Sequence, residues 1–89
     1  MAKYVVAYDL MKQGQNYECI IAKIKQYGTW AHVQESVWFI VTNSTATQVR
    51  DNLQSCLDAN DKLIVAGLTG EAAWFGHNQE ISDWLKQNL

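Results

Sequence analysis

Proline does not occur in this chain of 89 residues. No low-complexity segment interrupts it either, so nothing reads as a linker and one domain is expected, with a core over residues 3–68 and an extension over 69–89. No apolar run approaches the roughly 18 residues that a membrane span needs, and no secretory leader is recognisable. The expectation is a cytoplasmic protein with no membrane partner. Basic residues are few: Lys and Arg total 7 against 9 Asp and Glu, for a net charge of -2. That is a weak footprint for non-specific nucleic-acid binding, which depends on neutralising phosphates, although a local basic patch is compatible with it. Cysteine is limited to Cys19 and Cys56, both on expected helix faces and without metal-type spacing. They read as two buried, reduced thiols rather than a disulfide. A Gly-rich phosphate loop, a Ser-His-Asp set and a His/Cys metal cluster are all missing.

Aromatic residues, by contrast, are plentiful, with four Trp and four Tyr, so much of a small core is aromatic. A core of this size gains from a partner subunit. The stretch Lys3-Tyr4-Val5-Val6-Ala7-Tyr8-Asp9-Leu10 is a short run of β-branched and aromatic residues, the signature of a buried strand. Val5 and Ala7 share one face of it and Tyr4, Val6 and Tyr8 the other, so both faces are expected to be covered. Asp9 stands where this strand leaves the sheet.

A polar loop holding Lys12 and Gly14 follows, and Asn16 is positioned to cap a helix over residues 16–27 with Tyr17, Ile20, Ile21, Ile24 and Tyr27 at helical spacing. Gly28 stops it. Trp30-Ala31-His32-Val33 is a second strand, Gln34-Glu35 a tight turn, and Ser36 to Thr42 a third strand that is again apolar on both faces. Thr45 and Gln48 have the spacing of a capping box, opening a second helix with Val49, Leu53, Cys56 and Leu57 as its buried stripe. Asp61 to Leu68 is a fourth strand. The resulting β-α-β-β-α-β order is the ferredoxin-like α+β plan, a four-stranded antiparallel sheet with its first and third strands at the centre and both helices on one face. Residues 69–76, bracketed by Gly70 and Gly76, suit a fifth edge strand, paired within the chain or added to a neighbour's sheet. Ile81, Trp84, Leu85 and Leu89 mark a C-terminal amphipathic helix. That helix and a second subunit are both expected on the sheet's other face, which would otherwise expose an apolar patch.

These residues resemble a known family. Tyr4-Val5-Val6-Ala7-Tyr8-Asp9-Leu10 is similar to the first-strand motif of the CRISPR-associated Cas2 proteins. Tyr27-Gly28, then Val33-Gln34-Glu35-Ser36-Val37-Trp38, resemble that family's glycine and its Gln-x-Ser-Val-aromatic turn, and Asp61-Lys62-Leu63-Ile64-Val65 its fourth strand. The resemblance covers roughly residues 3–68 in order. It implies a ferredoxin-like homodimer in which Asp9 meets its twofold mate. Some relatives are metal-dependent nucleases, others are non-catalytic scaffolds bound to a protein partner, and VapD-type toxin ribonucleases share the plan. In the loop after Asp9, where the family often has an arginine, Lys12 is the one base, and the stretch after Gly70 is unlike the family's usual tail.

Two readings of Asp9 therefore stand. In one it is catalytic: paired across a twofold axis, two carboxylates hold Mg²⁺ (or Mn²⁺) for cleavage of RNA or DNA phosphodiesters, with Lys12 and Ser36 touching the nucleic acid. In the other Asp9 only settles the strand-to-loop turn, and the chain is a binding module for a protein or nucleic acid. Ser36 read on its own satisfies turn backbone groups, His32 is a half-exposed strand residue, and Trp38 and Trp74 are packing residues. Lys3 and Lys62 read as solubilising lysines flanking the sheet ends.

Overall fold

The computed structural model describes residues 1–10 and 17–89. Its elements run β1 (Ala2–Asp9), α1 (Tyr17–Lys25), β2 (Thr29–Gln34), β3 (Val37–Thr42), α2 (Ala46–Gln54), β4 (Lys62–Gly67) and α3 (Gln79–Asn88). The sheet order is β2-β3-β1-β4, and every pairing is antiparallel. This is the ferredoxin-like plan, with β1 and β3 at the centre as their two-sided apolar pattern requires.

Alternation along the strands sorts the side chains into two layers. On one face Tyr4, Val6, Tyr8, Trp38 and Ile40 pack with Ile20 and Ile24 of α1 and Val49 and Leu53 of α2. Within this layer the Trp38 indole N–H donates to the Tyr8 hydroxyl at 3.1 Å, tying the two central strands together. Tyr4 donates its hydroxyl proton to the Ser44 carbonyl at 2.8 Å. Both aromatic residues are thus buried with their polar ends paired, which removes the desolvation cost of a lone hydroxyl.

The local signals explain the helix ends. Gln48 N–H donates to Thr45 Oγ1 at 3.1 Å, and Thr45 N–H donates to Gln48 Oε1 at 2.8 Å, so the capping box is complete. Asn78 caps α3 by accepting from Ile81 N–H at 2.8 Å. Helix α1 ends at Lys25, short of the expected 27: the amides of Tyr27 and Gly28 bond three residues back, and Gly28 turns the chain at φ +86°. The expected cap Asn16, with Lys12 and Gly14, lies outside the described residues.

Three expectations need correction. Cys19 and Cys56 are joined in a disulfide and are not reduced thiols. The two helices lie side by side on one sheet face, which leaves the two Cα atoms 5.7 Å apart, inside the range a disulfide spans. Within the single chain residues 69–76 pair with no strand of the sheet, and Gly70 and Gly76 turn the backbone at φ of +98° and +87° near the two ends of the segment. The β2–β3 turn is shifted by one residue to Glu35 and Ser36, since Gln34 pairs with Val37 and the register slips between His32 and Gln34.

The second face is covered unevenly. Leu85 of α3 (2% exposed) and Ala31 of β2 (3% exposed) are buried but stand outside the main core cluster, so α3 forms its own small layer over the β2–β3 half. Over the β1–β4 half the described residues give less cover. Ile64, the register partner of Ala7, is 62% exposed, and Ala66 beside Val5 is exposed as well.

Candidate functional site

At the end of that less covered half lies a shallow depression of about 350 Å³, lined mainly by apolar atoms and containing Asp9, Ser36 and Lys62 with Ala7, Val37 and Ile64. Each residue is delivered by a different element. Asp9 is the last residue of β1, held in the sheet by its pairing with β4. Lys62 opens β4 and is the register partner of Asp9, so an acid and a base occupy opposite positions on one face. Ser36 comes from the β2–β3 turn, and its carbonyl accepts the Tyr8 N–H at 3.2 Å, which fastens the turn to β1 one residue before Asp9.

Asp9 and Lys62 are both exposed and Ser36 is half-buried. The charged groups therefore stay in water beside an apolar floor, an arrangement suited to meeting an outside ligand. Of the residues expected to form a site, the structure brings together Asp9 and Ser36, and Lys12 lies outside the described residues. Lys62, read from sequence as a solubilising lysine, belongs to the same depression; its position opposite Asp9 in the ladder was the available signal.

Beneath Asp9 the core side is purely structural. Tyr8 is 4% exposed, and burial pushes its phenol above the ordinary value of 10.0, with the Trp38 hydrogen bond opposing this more weakly and Tyr17 reinforcing it. His32 stacks flat on Trp38 with ring centroids 4.0 Å apart, and its Nε2 lies 3.0 Å from the Glu35 carbonyl, so it braces the turn that carries Ser36. Trp30 packs at 5.4 Å against the same indole.

A carboxylate oxygen is the right donor for a hard divalent cation. The number of donors is less favourable: among the described residues no group of three or more His, Cys, Asp or Glu could hold a metal ion, and this depression offers the carboxylate of Asp9 with a lysine opposite. None of the chain's helices is long and apolar enough to cross a membrane, again among the described residues.

The family model described as CRISPR associated protein Cas2 matches residues 1–74, a span that takes in all four strands, both core helices and the Asp9, Ser36 and Lys62 positions, and the chain belongs to that family.

Proposed function

We propose that this chain works as a homodimer that cleaves phosphodiester bonds in RNA or DNA, with Asp9 as its catalytic acid group. The observation that carries the reading is the convergence of Asp9, Ser36 and Lys62 at one exposed sheet end, beside an apolar surface that is left exposed among the described residues. Two copies packed through Ile64, Ala66, Val5 and Ala7 would bury that surface and bring two Asp9 carboxylates to a common axis. The pair supplies two carboxylates, hard oxygen donors suited to Mg²⁺ or Mn²⁺. Such an ion, when bound, offsets phosphate charge and lowers the pKa of coordinated water. Lys62 gives the phosphate a fixed positive partner, and the Ser36 hydroxyl donates to a phosphate oxygen. The net charge of -2 argues for a locally steered substrate rather than a broadly basic surface.

The test is Mg²⁺- or Mn²⁺-dependent cleavage of short RNA and DNA by the wild type and Asp9→Asn, purified identically. Asp9→Asn keeps shape and hydrogen bonding but removes the charge, so cleavage is expected to fall by two or more orders of magnitude while fold and dimer persist. Equal rates would locate the activity elsewhere.

A second reading has one specific observation behind it. A single acid opposite a lysine, with no group of three ligands among the described residues, also suits a non-catalytic dimer that binds a protein partner or nucleic acid. Absence of cleavage by either protein across metals and substrates favours that reading.

A further inference from the structure

The other half of the second face carries a cleft of its own. Residues 72–77 lie over β2 and β3 and enclose about 260 Å³, walled by Val33 and Phe39 from the sheet, Leu85 from α3, and Trp74, Phe75 and His77. Three observations set it apart from an ordinary packing gap. Trp74 is anchored, its indole N–H donating to Ser82 Oγ at 3.1 Å, so this aromatic wall is fixed to α3. Phe75 is 97% exposed, a whole aromatic ring left in water next to Gly76. The Nδ1 of His77 is buried and, among the described residues, has no hydrogen-bond partner. Buried polar atoms are nearly always paired. An apolar, aromatic cleft with one unpaired polar atom is the usual composition of a small-ligand site.

Size and chemistry narrow the occupant. The volume is below the roughly 300–1,000 Å³ of sites for drug-sized molecules, so it suits one ring system. Phe75 and Trp74 offer faces for stacking, while His77 and the Gln34 amide, which also lines the cleft, offer hydrogen bonds to a polar ring edge. Nucleobases combine a π-face with a donor and acceptor edge, and proteins hold unpaired ones by this combination. Position narrows it further. Val37 lines the Asp9 depression and Phe39 lines the cleft. They are two residues apart on the same face of β3, about 6.5 Å along the strand. Asp9 lies further on: Val5 is the register partner of Phe39 and Asp9 stands four residues beyond Val5, about 13 Å along the strands, so a base in the cleft would leave a more distant phosphate of the same nucleic-acid strand, not the adjacent one, near Asp9.

We infer that the cleft holds one nucleobase of a single-stranded nucleic acid, a more distant phosphate of which lies at the Asp9 depression. The inference deepens the phosphodiesterase reading and rests on it for the phosphate's position, whereas the base contact stands on the cleft itself.

The experiment uses isotopically labelled Asp9→Asn protein, which cannot consume the ligand, followed by NMR. It is titrated with the four nucleoside 5′-monophosphates, with ribose 5-phosphate, with inorganic phosphate, and with RNA and DNA tetranucleotides. Base-bearing ligands are expected to shift the Trp74 indole N–H and the His77 ring signals, with one base preferred and tetranucleotides binding more tightly than mononucleotides. Ribose 5-phosphate and phosphate should leave those signals in place. Adding Phe75→Ala should weaken binding about tenfold, the order expected for one lost stacking face. Because Phe75 is exposed, this change should not alter the circular dichroism.

Three results overturn the inference: no shifts up to about 10 mM nucleotide, where even a millimolar Kd would be seen; equal shifts with ribose 5-phosphate; or unchanged affinity in Phe75→Ala. Binding of mononucleotides without tetranucleotides overturns the assignment to a strand. Cleavage separates the two ideas. Protein with the Asp9 carboxylate intact that binds bases here and cuts nothing keeps the base site and removes the phosphodiesterase; protein that cuts without base binding does the reverse.

Discussion

Asp9 and Lys62 stand opposite each other across the β1–β4 ladder, on the face of the sheet that the core helices leave free. Both are exposed, so their mutual attraction is screened and is worth little to stability. Lys62→Ala should therefore change unfolding free energy by no more than about 0.5 kcal/mol. If the lysine faces substrate phosphate, the same change should lower cleavage or oligonucleotide affinity about tenfold or more, equivalent to roughly 1.4 kcal/mol. Parallel urea titrations and cleavage assays separate the two effects; a loss of stability without a loss of activity would make Lys62 a structural residue.

Ile64 offers the sharpest test of assembly. It is 62% exposed in the single chain, at the centre of the less covered apolar half. In light scattering at micromolar concentration the wild type should give twice the 10.1 kDa chain mass. Ile64→Glu puts a charge into the expected interface and should return the mass to that of one chain, with far-UV circular dichroism unchanged. A wild type that stays monomeric would remove the dimer, and with it the paired-Asp9 site.

The Cys19–Cys56 bond closes a loop with a sequence separation of 37. In the chain-entropy model, closing a loop of that length stabilises the fold by about 3–4 kcal/mol. Reduction, or Cys19→Ser with Cys56→Ser, should lower the urea midpoint accordingly. The double variant should then be insensitive to added thiol. Wild-type protein whose midpoint ignores reductant would mean that the bond contributes nothing.

Tyr8 makes the stability depend on alkaline pH. Its phenol is raised above 10.0 in the folded state by burial. Between the ordinary and the raised value the unfolded chain loses this proton and the folded chain keeps it, so the unfolded state binds fewer protons and stability falls as pH rises. The contribution is complete below about pH 10 and is lost as pH climbs through the folded value. Tyr8→Phe should flatten this part of the profile. At neutral pH it should cost about 1–3 kcal/mol, because the buried Trp38 N–H loses its acceptor. Urea unfolding of both proteins from pH 7 to 11.5 reads both effects.

What lay within reach of the sequence was whatever short-range periodicity encodes. The two-sided apolar pattern of Tyr4 to Tyr8 and of Val37 to Val41 placed both strands at the sheet centre, because a strand apolar on both faces is stable only with cover on each. Thr45 and Gln48 announced their helix because a capping box is a contact between residues three apart. Asp9 and Ser36 became candidates through the family resemblance of the motifs that carry them; their own places at a strand end and a turn suited a structural role equally well.

The tertiary structure decided what depends on residues far apart in the chain. Cys19 and Cys56 carry no spacing that signals a bond, and only the packing of α1 beside α2 brings them together. Lys62 joined Asp9 through the register of β4 on β1, which pairing geometry sets and composition does not. Residues 69–76 had the composition of an edge strand, but the backbone at Gly70 and Gly76 turns out of the β region, leaving Phe75 exposed and His77 half-buried with its Nδ1 atom out of solvent. Local preferences there are weak, and docking of α3 on β2 fixes the path of the segment. Long-range packing chose among conformations that the local sequence left nearly equal in free energy.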